Sequence, residues 1–178
     1  ALIRIARDSI RETFGLAPWP RVDADWLAEP GATFVTLRQG DDLRGCIGSL
    51  EARRPLGDDV AANARGAAFA DPRFAPLSRH ELEVTSIEVS LLSRSEPLPF
   101  ATAEELFARV VPGVDGIVLE AGARRATFLP QVWDVLPEPR DFFGELVRKA
   151  GLPPSHPLDR CRVLRYRVQK WTELEVTA

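Results

Sequence analysis

Two turn signals, each set between β-prone runs, constrain this chain more than any other feature. Ala32 to Leu37 and Leu43 to Leu50 flank Gln39-Gly40-Asp41-Asp42, and Val114 to Glu120 and Arg124 to Phe128 flank Ala121-Gly122-Ala123. Short glycine-bearing connections between such runs read as antiparallel hairpins. A further run, Val84 to Leu92, alternates so that Thr85, Ile87, Val89 and Leu91 face one way and Ser86, Glu88 and Ser90 the other. Cys161 to Val168 reads as a last strand. No regular β-α-β alternation joins these strands, so the fold class is α+β, with a largely antiparallel sheet and flanking helices.

The helices follow from spacing. Leu2, Ile3, Ala6, Ile10 and Phe14 recur at helical intervals up to Gly15. Pro55 suits the start of a second helix, with Asp58 and Asp59 at its positive end and Val60, Ala64, Ala67 and Ala68 along one face. Small side chains let that helix lie close to what it covers, and Asp71-Pro72-Arg73-Phe74 breaks it. Glu104 to Val111, a short helix opening at Pro130, and a helix with Phe142, Phe143, Leu146 and Val147 stopped by Gly151 complete the set. Residues 16 to 32, with Pro18, Pro20 and Pro30, read as a loop anchored by Trp19 and Trp26.

Composition narrows the function classes. The 178 residues read as one domain, residues 1–178, able to bury a core. Lys plus Arg number 23 against 26 Asp plus Glu, a net charge of −3 that disfavours general nucleic-acid binding. The pairs Arg53-Arg54 and Arg124-Arg125 are too short to make a basic patch by themselves. Two distant cysteines and two histidines give neither a disulfide framework nor a zinc cluster, so no metal and no cofactor are expected. No apolar run approaches the ~20 residues of a membrane span. The cysteine usage points to the cytoplasm. His80 lacks the second histidine of H-E-x-x-H, and Cys161 reads as a structural thiol.

Leu43-Arg44-Gly45-Cys46-Ile47-Gly48 is the most unusual stretch. Two glycines in a strand mark a bulge or a place where another backbone or a ligand comes close. Strand alternation puts Arg44 and Cys46 on one face, where a guanidinium would favour the thiolate of a partly exposed cysteine. A buried, inert cysteine is the competing reading.

Several stretches closely resemble the AMMECR1 domain family: LRGCIGSLEARRPLGDDVAANA, AFADPRFAPL, IEVSLLS and GVDGIVLEAGARRATFLPQVWDVLPEPRDFFGELVRKAGLPP. The resemblance spans nearly the whole chain. It implies two lobes of unequal size with a cleft between them, lined in part by the LRGCIG strand. The chain is also similar to the A component of the AmmeMemoRadiSam system, which implies as partners a Memo-like protein and a radical S-adenosylmethionine protein. The chain lacks the C-x-x-x-C-x-x-C spacing of such a radical enzyme, so any radical chemistry would belong to a partner.

The motifs carried over select Cys46, Arg44 and Glu88 as catalytic candidates. Glu88 would act as a base or as an anchor for Arg44. Ser49, Asp115, Arg125, Thr127 and Gln131 are the ligand-binding candidates. Asp115 alternatively supplies turn chemistry, Arg125 a structural ion pair, and Gln131 a helix cap. Two functions compete. One is a binding subunit whose cleft takes a partner's peptide or a small ligand; the other is a cofactor-independent enzyme using Cys46 on a small anionic or carbonyl substrate. The first ranks higher because no base–nucleophile–orienter set is recognisable.

Overall fold

The computed structural model describes residues 1–16 and 23–173. Among the described residues two compact units emerge, residues 1–16 and 23–92 with 169–173, and residues 93–168. Each has its own sheet and apolar core.

The first unit contains α1 (Leu2–Thr13), β1 (Pro30–Gln39), β2 (Asp42–Gly48), β3 (Arg54–Pro55), α2 (Leu56–Phe69), α3 (Arg79–Glu83), β4 (Ser86–Leu92) and β9 (Val168–Thr172). Its sheet runs β2-β1-β4-β9, with β3 paired to the start of β1. Strand β1 is antiparallel to both β2 and β4. Leu2, Ala6 and Ile10 of α1 and Val60, Ala64 and Ala67 of α2 meet Val35, Leu37, Ile87 and Val89 in the core. The two strand glycines have distinct packing reasons. A Cβ on Gly45 would lie 2.2 Å from the carbonyl oxygen of Ala67, and one on Gly48 would strike the Phe34 ring at 2.2 Å. Close approach by helix α2 and by an aromatic ring, both within the protein, accounts for them.

The second unit contains β5 (Glu96–Pro97), α4 (Ala103–Arg109), β6 (Gly116–Ala121), β7 (Arg124–Phe128), a 3-10 turn at Pro130–Asp134, α5 (Pro139–Lys149) and β8 (Arg162–Tyr166). Its antiparallel sheet runs β5-β8-β6-β7. Phe142, Phe143 and Leu146 of α5 bury themselves against Ile117 and Leu119 of β6. The Trp133 ring stacks on Phe142 with centroids 3.6 Å apart, and its Nε1 donates to the Asp115 carbonyl at 2.7 Å. The polar tip of the indole is thereby satisfied inside an apolar core.

The α+β class and both hairpins stand, with differences in detail, among them the Pro130 segment, which is a 3-10 turn, and the short strands β3 and β5. The last strand is two strands: Ser93 donates its N–H to the Arg167 carbonyl and accepts the Arg167 N–H on its Oγ, β8 ends, and the chain continues as β9 beside β4. Helix α3 is added, fixed by a capping box in which Ser78 Oγ accepts the Glu81 N–H and the Glu81 carboxylate accepts the Ser78 N–H. Trp26 is 44% exposed and so does not anchor its loop on the core, while Trp19 lies outside the described residues. No helix among the described residues is long and apolar enough to cross a membrane.

Candidate functional site

The register of the β1–β2 hairpin decides which side chains meet. Gln39 pairs with Asp42 and Arg38 with Leu43, but then Leu37 pairs with Gly45 and Thr36 with Cys46. Arg44 is therefore the extra residue of a β-bulge. The bulge shifts the register by one and brings Cys46 opposite Thr36, which itself pairs with Glu88 on β4. Cys46, Thr36 and Glu88 thus form one row across three strands, on the face away from α2. Thr36 Oγ1 donates to Cys46 Sγ at 3.4 Å, and Lys170 of β9 extends the row through a 3.0 Å ion pair with Glu88. Cys46 itself is half-buried.

Because β2 is an edge strand, the outward backbone groups of Cys46 need partners from elsewhere. Asp71, which follows α2, supplies one: its Oδ2 accepts the Cys46 N–H at 2.9 Å. Arg73 supplies the other, donating to the Cys46 carbonyl at 3.3 Å while its guanidinium binds Asp71 at 2.7 Å. The Arg73 guanidinium beside Asp71 holds that buried carboxyl well below the usual carboxylate range, against the opposing effect of burial. Asp71-Pro72-Arg73 is thus an edge clamp as well as a helix breaker.

Arg44 does not serve Cys46. At a bulge, strict alternation fails, and the Arg44 guanidinium turns to Glu81, with Nε 2.9 Å from Oε1, and to the Ala75 carbonyl at 3.0 Å. Arg44 in turn draws the Glu81 carboxyl down to about 2. Glu88 is likewise no anchor for Arg44, being held by Lys170. Two strand spacings of about 4.8 Å separate the Cys46 and Glu88 positions, so the carboxylate cannot touch the sulfur directly. The three catalytic candidates do not converge on one point.

Ser49 belongs to a buried polar network. Its Oγ donates to Asp59 Oδ1 at 2.8 Å, the same oxygen that receives Arg54, while Asp59 Oδ2 takes the Thr33 N–H and hydroxyl. Asn63 closes the set through the Thr33 carbonyl at 2.9 Å. This network fastens the segment after β2 to β1 and α2, and leaves Ser49 committed.

The remaining candidates lie in the second unit, and Asp115, Thr127 and Arg125 are each bound to a different neighbour. Asp115 is fully buried and accepts the Val111 N–H at 2.9 Å, closing the turn before β6. Thr127 Oγ1 donates to the Ile117 carbonyl at 2.8 Å and lies 3.1 Å from the Tyr166 hydroxyl. Arg125 pairs with Glu120 across the β6–β7 ladder, and Gln131 is exposed in its 3-10 turn. Burial pushes the Cys161 thiol upward, in keeping with a structural role. Among the described residues, no cluster of three or more His, Cys, Asp or Glu can hold a metal ion.

Thr36, Asp71, Arg73 and Lys170 are the site residues that sequence reasoning passed over. Asp71 and Arg73 had a signal, since a buried-prone helix end followed by Asp-Pro-Arg offers a paired acceptor and donor. Lys170 had none.

Comparison with known proteins agrees with this architecture. Residues 3–171 match the AMMECR1 family. An uncharacterised protein from Pyrococcus horikoshii has a crystal structure that superposes with a TM-score of 0.81 at 31% identity, covering 97% of this chain and 89% of that one. A protein of Methanothermobacter thermautotrophicus is 36% identical over 97% of this chain and 92% of its own length. One from Aeropyrum pernix is 40% identical over 98% and 78%. A match that runs through both sheets, at this identity and with the same fold, places the chain in the AMMECR1 family.

Proposed function

We propose that this chain is a binding subunit of an AmmeMemoRadiSam system and that the Cys46–Thr36–Glu88–Lys170 row is where it binds. The observation that carries this reading is the state of the sulfur's surroundings. Its side-chain neighbours are the Thr36 hydroxyl, which donates to it, and the Arg73 guanidinium, already bound to Asp71, while the carboxylate of the row sits a strand further on, neutralised by Lys170. Nucleophilic catalysis needs a base within hydrogen-bond reach of the thiol, and the row offers none. A mixed face of thiol, hydroxyl, carboxylate and ammonium is instead suited to recognition through several directed contacts.

The test is co-expression with the Memo-like and radical S-adenosylmethionine proteins of the same genome. Stable co-purification, retained in Cys46→Ser, is the expected outcome. Persistent absence of any complex contradicts the reading.

A second reading, a cofactor-independent enzyme with Cys46 as nucleophile, draws on the half-buried position of that residue, which leaves it open to a small reagent. It requires that Cys46 react with iodoacetamide much faster than a free cysteine does. An ordinary or slow rate removes it.

A further inference from the structure

Several guanidiniums among the described residues are matched with a carboxylate: Arg7 with Glu173, Arg44 with Glu81, Arg54 with Asp59, Arg73 with Asp71, Arg109 with Glu105 and Arg148 with Glu145. Arg94, Arg165 and Arg167 are not. They line one hollow of about 310 Å³ in the second unit, together with Ser93, Glu96 and Tyr166. Among the described residues, none of the three has a side-chain hydrogen bond or ion pair.

The backbone beneath them is firmly set. Ser93 donates its N–H to the Arg167 carbonyl at 2.8 Å, Arg167 donates its own to Ser93 Oγ at 3.0 Å, and Glu96 pairs in register with Arg165. Alternation along the segment sends Tyr166 inward, where its hydroxyl meets Thr127, and leaves Arg165 and Arg167 on the opposite side. Burial pushes the Tyr166 hydroxyl up to about 12, so it adds no negative charge. Three arginines therefore line a concavity that holds a single carboxylate, Glu96, and that carboxylate neutralises none of them by direct pairing.

We propose that this hollow is an anion site for a small phosphomonoester. Like charges held together raise the local potential, and a dianion relieves it while accepting forked N–H donors from planar guanidiniums. Glu96 supplies an acceptor for a hydroxyl or amine on the same ligand, and it repels a long polyanion. The hollow's size also fits a small molecule better than a nucleic-acid backbone, which would need a basic surface running beyond it. This site is independent of the Cys46 row.

The experiment is titration of the full chain with phenyl phosphate and inorganic phosphate, followed calorimetrically and by thermal shift. Single-stranded RNA and an acidic peptide serve as competing ligands. Saturable binding of phenyl phosphate at millimolar or tighter affinity is expected, roughly tenfold or more weaker in Arg94→Ala/Arg165→Ala/Arg167→Ala. Arg165→Lys keeps the charge but loses the fork, and falls between the two. Arg160→Ala is the control and binds as wild type. The three positions are half-buried or exposed, and an unchanged melting temperature in the triple variant certifies its fold. Absence of phosphate binding by the wild-type chain overturns the proposal. So does binding that the triple variant retains, or patch-dependent binding of RNA or peptide with none of phenyl phosphate.

Discussion

The strand around Cys46 and the hollow around Arg165 use arginine in opposite ways. Around Cys46, every charge has been given a partner: Asp71 takes Arg73, Glu81 takes Arg44, Asp59 takes Arg54, and Glu88 takes Lys170. Around Arg165, three guanidiniums share a concavity without a partner. Paired arginines of the first kind fix a backbone in place, because each also bonds a main-chain carbonyl or closes a buried network. Unpaired ones contribute little to the fold and remain available to a ligand. The stretch that looks most chemical in the sequence is thus electrostatically satisfied, and the available charge lies in a segment with no motif at all.

This contrast can be broken by substitution. The largest effect is expected at Gly45. Gly45→Val drives a side chain into the Ala67 carbonyl, for which the ideal Cβ is already at 2.2 Å. A loss of about 3 kcal/mol is expected in urea unfolding, with a melting temperature lower by roughly 6–12 °C. A near-neutral result would mean that α2 does not rest on this strand.

Asp71→Ala comes next. It leaves the Cys46 N–H at the sheet edge without its acceptor, while Arg73, whose side chain is 54% exposed, turns back to water. The expected cost is about 2 kcal/mol, mostly the unmet N–H, and Cys46 should alkylate faster than in wild type. Unchanged stability and alkylation would contradict the clamp.

Acid titration sharpens the same point. Asp71 and Glu81 both have carboxyls lowered in the folded chain, by Arg73 and Arg44 respectively. Their contribution is present above the unfolded carboxylate range near pH 4 and is lost as pH falls through the folded values. Stability should drop between about pH 4.5 and pH 2, and Glu81→Gln should flatten part of that slope. The Glu81 side chain is 33% exposed, so its share is held below about 1 kcal/mol by solvent screening.

The smallest effects belong to loosely held charge. Glu88→Gln frees a lysine whose side chain is 47% exposed and should cost about 0.5 kcal/mol. Arg94→Ala/Arg165→Ala/Arg167→Ala should move stability by no more than about 0.5 kcal/mol in either direction. A large loss in the triple variant would show that the hollow is structural after all.

The hairpins, the class and the faces of the main helices were legible because turn glycines and apolar period act locally. Gly40 and Gly122 do adopt the positive φ that their turns require. The site was less legible, and the bulge is the reason. Counting back from the Gly40-Asp41 turn puts Thr36 opposite Gly45; one inserted residue, Arg44, moves it opposite Cys46 and frees the arginine from the alternating pattern. Nothing in the local sequence states that a bulge falls there rather than at a neighbouring residue. Lys170 and Arg165 illustrate a second limit, since their placement depends on where one apparent strand divides between two sheets. Glu81, by contrast, was legible in principle from the Ser-x-x-Glu spacing at 78 to 81.

The most direct test is the affinity of the Memo-like protein for this chain, measured by calorimetric titration of wild type, Cys46→Ser, Cys46→Arg and Lys170→Glu, each with its melting curve. The account predicts that Cys46→Ser binds within about threefold of wild type, since truncations outside an interface hot spot cost less than about 1 kcal/mol. Cys46→Arg and Lys170→Glu, correctly folded, should bind far more weakly. Wild-type affinity in both charge variants would contradict it.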